Sequence, residues 1–288
     1  QTRIAEWPAE RAAQVCGISA DEVRGLARDL GTAQPAGIRV NYGMQRVRGG
    51  GNAMRLIALL PCLTGAWRHR AGGLLLSSSG WFKAYKNAAL ERPDLLAGRR
   101  PRTINMSTIG DDLLLGAPKI EAVIVYNSNP VAIAPESKKV AAGFARDDLF
   151  TVVIEHFLTD TADHADYVLP ATTQLEHLDV HTTYGHTDVM FNEPAIAPLG
   201  ECKPNTQIFR ELAACMGFTG PCFADDDKTL ARQAFDWQAL GTTFEALRER
   251  GWASLPVADA PFANGGFATH NRKAQVDVCG LGVPDHVP

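Results

Sequence analysis

Val123–Ile124–Val125–Tyr126–Asn127–Ser128–Asn129–Pro130 is the stretch that decides the fold. Four β-prone residues stop at a short polar turn, the pattern of a buried parallel strand whose carboxyl end opens onto a crevice. The pattern recurs in Phe150–Thr151–Val152–Val153–Ile154, which runs into Glu155–His156 and then Thr159–Asp160–Thr161. Between the two runs, Glu136–Phe144 reads as a helix, so the unit is strand–helix–strand with a right-handed crossover. Asp166–Tyr167–Val168–Leu169–Pro170 reads as a third strand ended by its proline. The expected class is α/β: a mainly parallel, dinucleotide-binding-like sheet with flanking helices, followed by a mostly helical and irregular C-terminal part.

Outward from this core the sequence gives further elements. Pro8–Leu30 reads as two short helices, with Ser19 and Glu22 as a capping box, Val23, Leu26, Ala27 and Leu30 on one face, and Gly31 as the stop. Ile38–Val40 reads as a short strand. A loop with Tyr42, Gly43, Arg46 and the triplet Gly49–Gly51 leads from it into a helix over Asn52–Leu63. The loop lacks the spacing of a Rossmann fingerprint and the Gly-Lys-Ser/Thr of a P-loop. Trp67 to Leu115 is loop-rich. Glu176 to Asp188 is polar with little periodicity. Asn205–Met216 is an amphipathic helix with Ile208, Phe209, Leu212, Ala213 and Met216 on one face. Thr229–Phe235 and Phe244–Arg250 read as helices, and residues 255–288 as linker or partly ordered tail. Three parts follow: 1–36, the helical end of an upstream domain; 37–200, an α/β cofactor-binding domain; 201–288, a helical segment and linker.

Composition narrows the function. Of 288 residues, 45% are hydrophobic, and 28 Lys+Arg face 32 Asp+Glu. The net charge of -4 argues against a nucleic-acid binder, which needs a basic surplus. The best apolar run, Leu56–Leu63, is too short to span a membrane and is broken by Pro61. Six cysteines, at 16, 62, 202, 215, 222 and 279, form no C-x-x-C pair, and the expectation is mostly buried thiols in a reducing compartment. The chain begins on Gln1 and runs straight into helix-like sequence, which reads as a piece of a longer polypeptide. A cytoplasmic location is the expectation, with the periplasm left open.

Candidate chemistry concentrates at the strand ends. His156, His164, His177, His181 and His186 invite a metal reading; His177 and His181 stand four apart, and His181 and His186 five apart, as zinc ligands on a helix can. Asp179, Val180, Thr182 and Thr183 are poor helix formers, however, and no H-E-x-x-H is present, so hydrogen-bonding histidines are the reading. Ser77–Gly80 is not a G-x-S-x-G elbow. The Asn127–Ser128–Asn129–Pro130 turn can offer donors and acceptors to a base or pterin edge, or can be a structural Asx turn. Glu155, an acid just past a strand, can take a ribose hydroxyl or a guanine N–H edge, or can sit beside a helix cap.

Taken in order, the motifs resemble one family. Tyr42-Gly43-Met44-Gln45-Arg46 with Gly50, Leu63-Thr64-Gly65, Ala71-Gly72-Gly73, Asn127-x-Asn129-Pro130, Thr159-x-Thr161-Ala162, Ala165-Asp166-Tyr167-Val168-Leu169-Pro170-Ala171-Thr172, Glu176 and Lys203-Pro204-Asn205 resemble the molybdopterin oxidoreductases of dimethyl-sulfoxide-reductase type. The resemblance implies a bis-molybdopterin guanine dinucleotide carrying Mo or W, contacted by Tyr42, Gly43, Arg46, Asn127, Asn129, Glu155, Thr159, Thr161, His177 and Asn205. Tyr42 and Arg46 would meet the pterin dinucleotide, Glu155 a guanosine, and His177 a phosphate or pterin. No counterpart is found for the family's N-terminal [4Fe–4S] cysteines, its metal ligand or its C-terminal domain. The resemblance therefore implies an internal fragment, inactive alone, whose partners are the missing N- and C-terminal domains and electron-transfer subunits. The Arg-Gly-Gln-Asn-Asn stretch of formate dehydrogenases is replaced by Gly73–Gly80, so reactions on sulfur compounds or other small oxo-acceptors stand level with formate oxidation. A non-catalytic α/β nucleotide-binding or docking module is the alternative.

Overall fold

The structure is a computed structural model that describes residues 2–278, 280, 282 and 284. Its contacts form two compact units. One comprises Gln1–Phe82, Tyr184–Thr187 and Pro256–Pro288, the other Lys83–Thr183 and Asp188–Leu255.

In the first unit, helices span Ala9–Cys16 and Ala20–Thr32. The capping box forms: Ser19 Oγ accepts from the Glu22 N–H at 3.1 Å, and the Ser19 N–H donates to Glu22 Oε2 at 2.8 Å. This satisfies two amides that the first helical turn leaves unpaired. Gly17, at φ 69°, closes the first helix. Gly31 does not close the second, which runs through it to Thr32 and ends before Pro35, a residue that cannot continue a helix. The expected apolar face is not buried, since Leu26 is 71% exposed. Strand β1 (Gly37–Arg39) pairs in parallel with β2 (Gly73–Leu75). After β1, a 3-10 turn over Tyr42–Gln45 leads to a helix over Gly50–Thr64. That helix starts two residues before the expected Asn52, because only Gly49, at φ 79°, is needed for the turn. Gly50 is pressed against the turn: a Cβ there would lie 2.7 Å from the Met44 carbonyl. The segment expected as a linker packs instead. Phe262 and Phe267 stack at 4.7 Å, and both meet the Trp67 ring edge-on. Residues 279, 281, 283 and 285–288 of that segment lie outside the described residues.

The second unit holds the parallel sheet. Strands β3 (Ala122–Tyr126), β4 (Phe150–Glu155) and β5 (Tyr167–Pro170) lie side by side in the order β3-β4-β5. Successive residues of a strand point to opposite faces; one face is packed and the other covered in part, so that Ile124 and Tyr126 of β3 are each 48% exposed instead of buried as expected. Val125 and Val153 pack with Val140, Phe144 and Leu113 from helices Ser137–Phe144 and Ile109–Leu115. Ile154 packs on the other face with Ala171 and Ile208 of helix Asn205–Cys215, and Phe209 meets Tyr126 edge-on at 5.4 Å. The polar stretch after Glu176 is not irregular. It forms an antiparallel sheet of β6 (Asp179–Thr182), β7 (Asp188–Asn192) and β8 (Trp252–Ser254), with Val189 and Phe191 turned toward Phe244 and Leu247 of helix Phe244–Arg250.

The cysteines depart from expectation. Cys16 and Cys215 are exposed and Cys62, Cys202 and Cys222 partly so; all five are free thiols, and Cys279 lies outside the described residues. Among the described residues, no helix is long and apolar enough to cross a membrane.

Candidate functional site at the strand ends

The carboxyl ends of β3, β4 and β5 bring most of the expected residues to one edge of the parallel sheet. Asn127 follows β3 at φ 51°, a left-handed conformation that asparagine tolerates better than most residues. Asn129 ties this turn to the one after β4. Its Oδ1 accepts from the Thr161 hydroxyl at 2.7 Å and the Thr161 N–H at 3.2 Å, while its Nδ2 donates to Asp160 at 3.0 Å. The Asn129 amide and Asp160's own backbone N–H hold the Asp160 carboxyl below the usual aspartate range. Thr161 also accepts from the Val131 N–H at 3.1 Å and is fully buried. Its hydroxyl thus donates to Asn129 and accepts from Val131, so Thr161 holds the turn. Thr159 accepts from the Ala162 N–H at 3.3 Å and starts the short 3-10 turn Ala162–His164. Glu155 stands at the end of β4, partly buried, and accepts from the His156 N–H at 2.7 Å.

Beyond β5, the Thr172 N–H donates to the Lys203 carbonyl at 3.1 Å, and the Lys203 N–H to the Pro170 carbonyl at 3.1 Å. This places Asn205, two residues on, beside the first turn. Its Nδ2 lies 3.4 Å from Asn127 Oδ1, and its Oδ1 is buried with no hydrogen-bond partner. A buried acceptor left unpaired costs roughly 1–3 kcal/mol, so it stands ready for an incoming donor.

His156, Thr172 and Glu176, named in the sequence without a cofactor contact assigned to them, join the same edge. His156 Nε2 bonds the Thr172 carbonyl at 3.0 Å, and the Thr172 hydroxyl bonds His177 Nδ1 at 2.9 Å. Glu176 is buried and accepts from Thr173 N–H and Oγ1 and from Leu199 N–H at 2.7 to 2.8 Å. The Thr173 amide and hydroxyl, then the Leu199 amide, hold its carboxyl below the usual glutamate range. The Thr-x-x-Glu spacing of Thr173 and Glu176 was the available signal, since it is a capping-box pattern.

Tyr42, Gly43 and Arg46 belong to the first unit. Asn41 Oδ1 accepts from the Tyr42 N–H at 2.8 Å to start their turn, and Arg46 closes it with its side chain exposed. The hydroxyls of Ser77 and Ser79 hold the Tyr42 phenol below its ordinary range. The second unit has two cavities, one away from the strand ends and one against β3 and the turn that follows Tyr126. One, of about 460 Å³, includes Lys86, Arg232 and Trp237; the other, of about 250 Å³, is mostly apolar and reaches Ser128 and Pro130.

A family model described as molybdopterin oxidoreductase matches residues 3–215. The chain belongs to the molybdopterin oxidoreductase family. It is 43% identical over 233 residues to a probable oxidoreductase, YoaE, of Bacillus subtilis, covering 81% of this chain and 34% of that protein. It is 28% identical over 236 residues to the dimethyl sulfoxide reductase DmsA of Escherichia coli, covering 74% of this chain and 28% of the relative. Among solved structures, acetylene hydratase from Pelobacter acetylenicus matches with a TM-score of 0.68 at 20% identity, over 89% of this chain and 40% of that one, which shows a shared fold. The chain thus spans about a third of the length of the curated relatives it matches. Membership of the molybdopterin oxidoreductases implies a molybdenum cofactor. The residues present fit the polar part of such a group: an orphaned buried acceptor on Asn205, the amide of Asn127 and the carboxylate of Glu155 line one sheet edge.

Proposed function

We propose that this chain is part of a longer molybdopterin-dependent oxidoreductase and contributes one portion of a pterin guanine dinucleotide site. The observation that carries the reading is the unpartnered Asn205 Oδ1 beside Asn127 at the carboxyl edge of a parallel sheet. That edge is where α/β sheets bind ligands. In this reading Asn205 and Asn127 take donor and acceptor groups of a base, Glu155 accepts its N–H edge or a ribose hydroxyl, and His177 donates to a phosphate or pterin oxygen. Asn129, Thr159 and Thr161 hold the turns that carry these groups. Tyr42, Gly43 and Arg46 supply a second contact, in which an arginine fork suits a diphosphate. When bound, the cofactor supplies two-electron redox or oxo-transfer chemistry at molybdenum or tungsten. The chain supplies binding and orientation.

The coverage of relatives supports further parts of the reading. The [4Fe–4S] cluster, the metal ligand and the remaining cofactor contacts belong to other segments of the polypeptide, and electron-transfer subunits are its partners. Residues 37–200 are the main cofactor-binding part, joined by Asn205 from the following segment, with 1–36 and 201–288 on either side. Free thiols suit a reducing compartment, and we read the location as cytoplasmic.

Thermal unfolding of the 288-residue chain tests the site. Guanosine diphosphate at about ten times its dissociation constant should raise the midpoint by about 2 °C, following roughly 1.4 kcal/mol of linkage. Asn205→Leu should abolish the shift. No shift at millimolar nucleotide would remove the base-binding assignment.

A further inference from the structure

We propose that Thr172 is a positioning residue that fixes the proton on two histidines at once, so that His177 offers an Nε2–H donor at the sheet edge. The inference rests on the cofactor reading for its ligand, an anionic phosphate or carbonyl oxygen, but not for its chemistry. Thr172 is 2% exposed, and each of its polar groups is engaged: N–H to the Lys203 carbonyl, carbonyl to His156 Nε2, hydroxyl to His177 Nδ1. A carbonyl only accepts, so His156 carries its proton on Nε2. The hydroxyl of Thr172 has His177 Nδ1 as its partner among the described residues. A buried hydroxyl proton with no acceptor is costly, so the hydroxyl donates, and Nδ1 of the neutral ring is bare. The proton of His177 is then on Nε2, and a ring whose tautomer is set by its inner nitrogen presents a fixed outer one.

The geometry explains why one threonine reaches both rings. His156 follows the end of β4 and Thr172 the end of β5, and the Ala171 N–H bonds the Glu155 carbonyl at 3.2 Å, so the two strand ends are adjacent. His177 returns to the same point five residues on. Glu176, its neighbour, is pinned by Thr173 and Leu199, which fixes the backbone that carries the ring.

The test is histidine nitrogen NMR on the full 288-residue chain, labelled at the imidazole nitrogens and held near pH 8.5, about two units above the ordinary histidine value. His156→Gln and His177→Gln identify the two rings. In the parent chain both should show the single Nε2–H pattern. In Thr172→Val, His177 should lose that pattern for a mixture of tautomers, while His156, bonded to the unchanged carbonyl, keeps it. Thr172→Ser should restore His177. An Nδ1–H pattern for His177 in the parent chain overturns the proposal even if the valine variant does not fold, and so does a valine variant with His177 unchanged. Guanosine diphosphate added to the same samples separates the two ideas. Binding with the wrong tautomer removes the role of Thr172 and leaves the cofactor reading. The expected tautomer without binding keeps the positioning and removes the ligand.

Discussion

At the scale of single residues, Glu176 ties two loops of the edge together. Both carboxylate oxygens accept from groups on two separate loops, Thr173 and Leu199. The depressed carboxyl has a direct consequence for stability. A group whose folded pKa lies below its unfolded value stabilises the fold above the unfolded pKa, about 4.3 for glutamate, and the benefit is lost as pH falls through the folded value. Glu176→Gln should therefore lower the urea midpoint at pH 7, where the amide turns a donor toward a backbone N–H. The gap to the parent chain should close as the pH drops below about 4.3. Urea titrations followed by tryptophan fluorescence across pH 3–7 check this, and parallel curves for the two proteins would contradict it.

At the scale of elements, two glycines of similar sequence context should behave oppositely. Gly143 lies where helix Ser137–Phe144 crosses Ile109–Leu115, and a Cβ there would sit 2.6 Å from Leu113 Cβ. Gly143→Ala should cost about 1–3 kcal/mol through overpacking. Gly25, inside helix Ala20–Thr32, meets nothing within 4 Å, and Gly25→Ala should stabilise by up to about 1 kcal/mol through helix propensity. Melting temperatures that move the same way for both would overturn the contact argument. The elements also show what a sequence can reveal. Strands β3, β4 and β5 were readable because their apolar runs are continuous and end at polar turns, and the Ser19–Glu22 cap because it is local. The β6–β7 hairpin was not, because His181 and Thr182 mask its alternation and β8, its third strand, arrives sixty residues later. The site divides in the same way. Asn127, Asn129 and Glu155 follow from strand ends, whereas the His156–Thr172–His177 link joins residues through space, and the burial of Thr161 depends on which side of its turn faces the core.

At the scale of the whole molecule, family membership and exposed apolar surface point in one direction. The chain spans about a third of its curated relatives, and its second unit leaves Leu175 58%, Ile196 55% and Leu199 77% exposed. These three lie close together, because the Leu175 carbonyl accepts from the Ala195 and Ile196 amides and the Leu199 amide reaches Glu176. Burying such side chains is worth roughly 1.5–3 kcal/mol each, or roughly 5–9 kcal/mol for the three. Association costs an estimated 4–15 kcal/mol in lost freedom, so the balance favours weak self-association rather than a tight dimer. The isolated chain should therefore show a weight-average mass that rises with concentration in sedimentation equilibrium. Ammonium sulfate should strengthen the effect, since it favours apolar burial, whereas a charge-driven contact would weaken as salt screens it. Ile196→Lys with Leu199→Glu should return the chain to monomer without lowering its melting temperature, because both side chains face solvent. A chain that stays monomeric at every concentration in sulfate would show that this patch is tolerated as surface, as isolated apolar side chains commonly are.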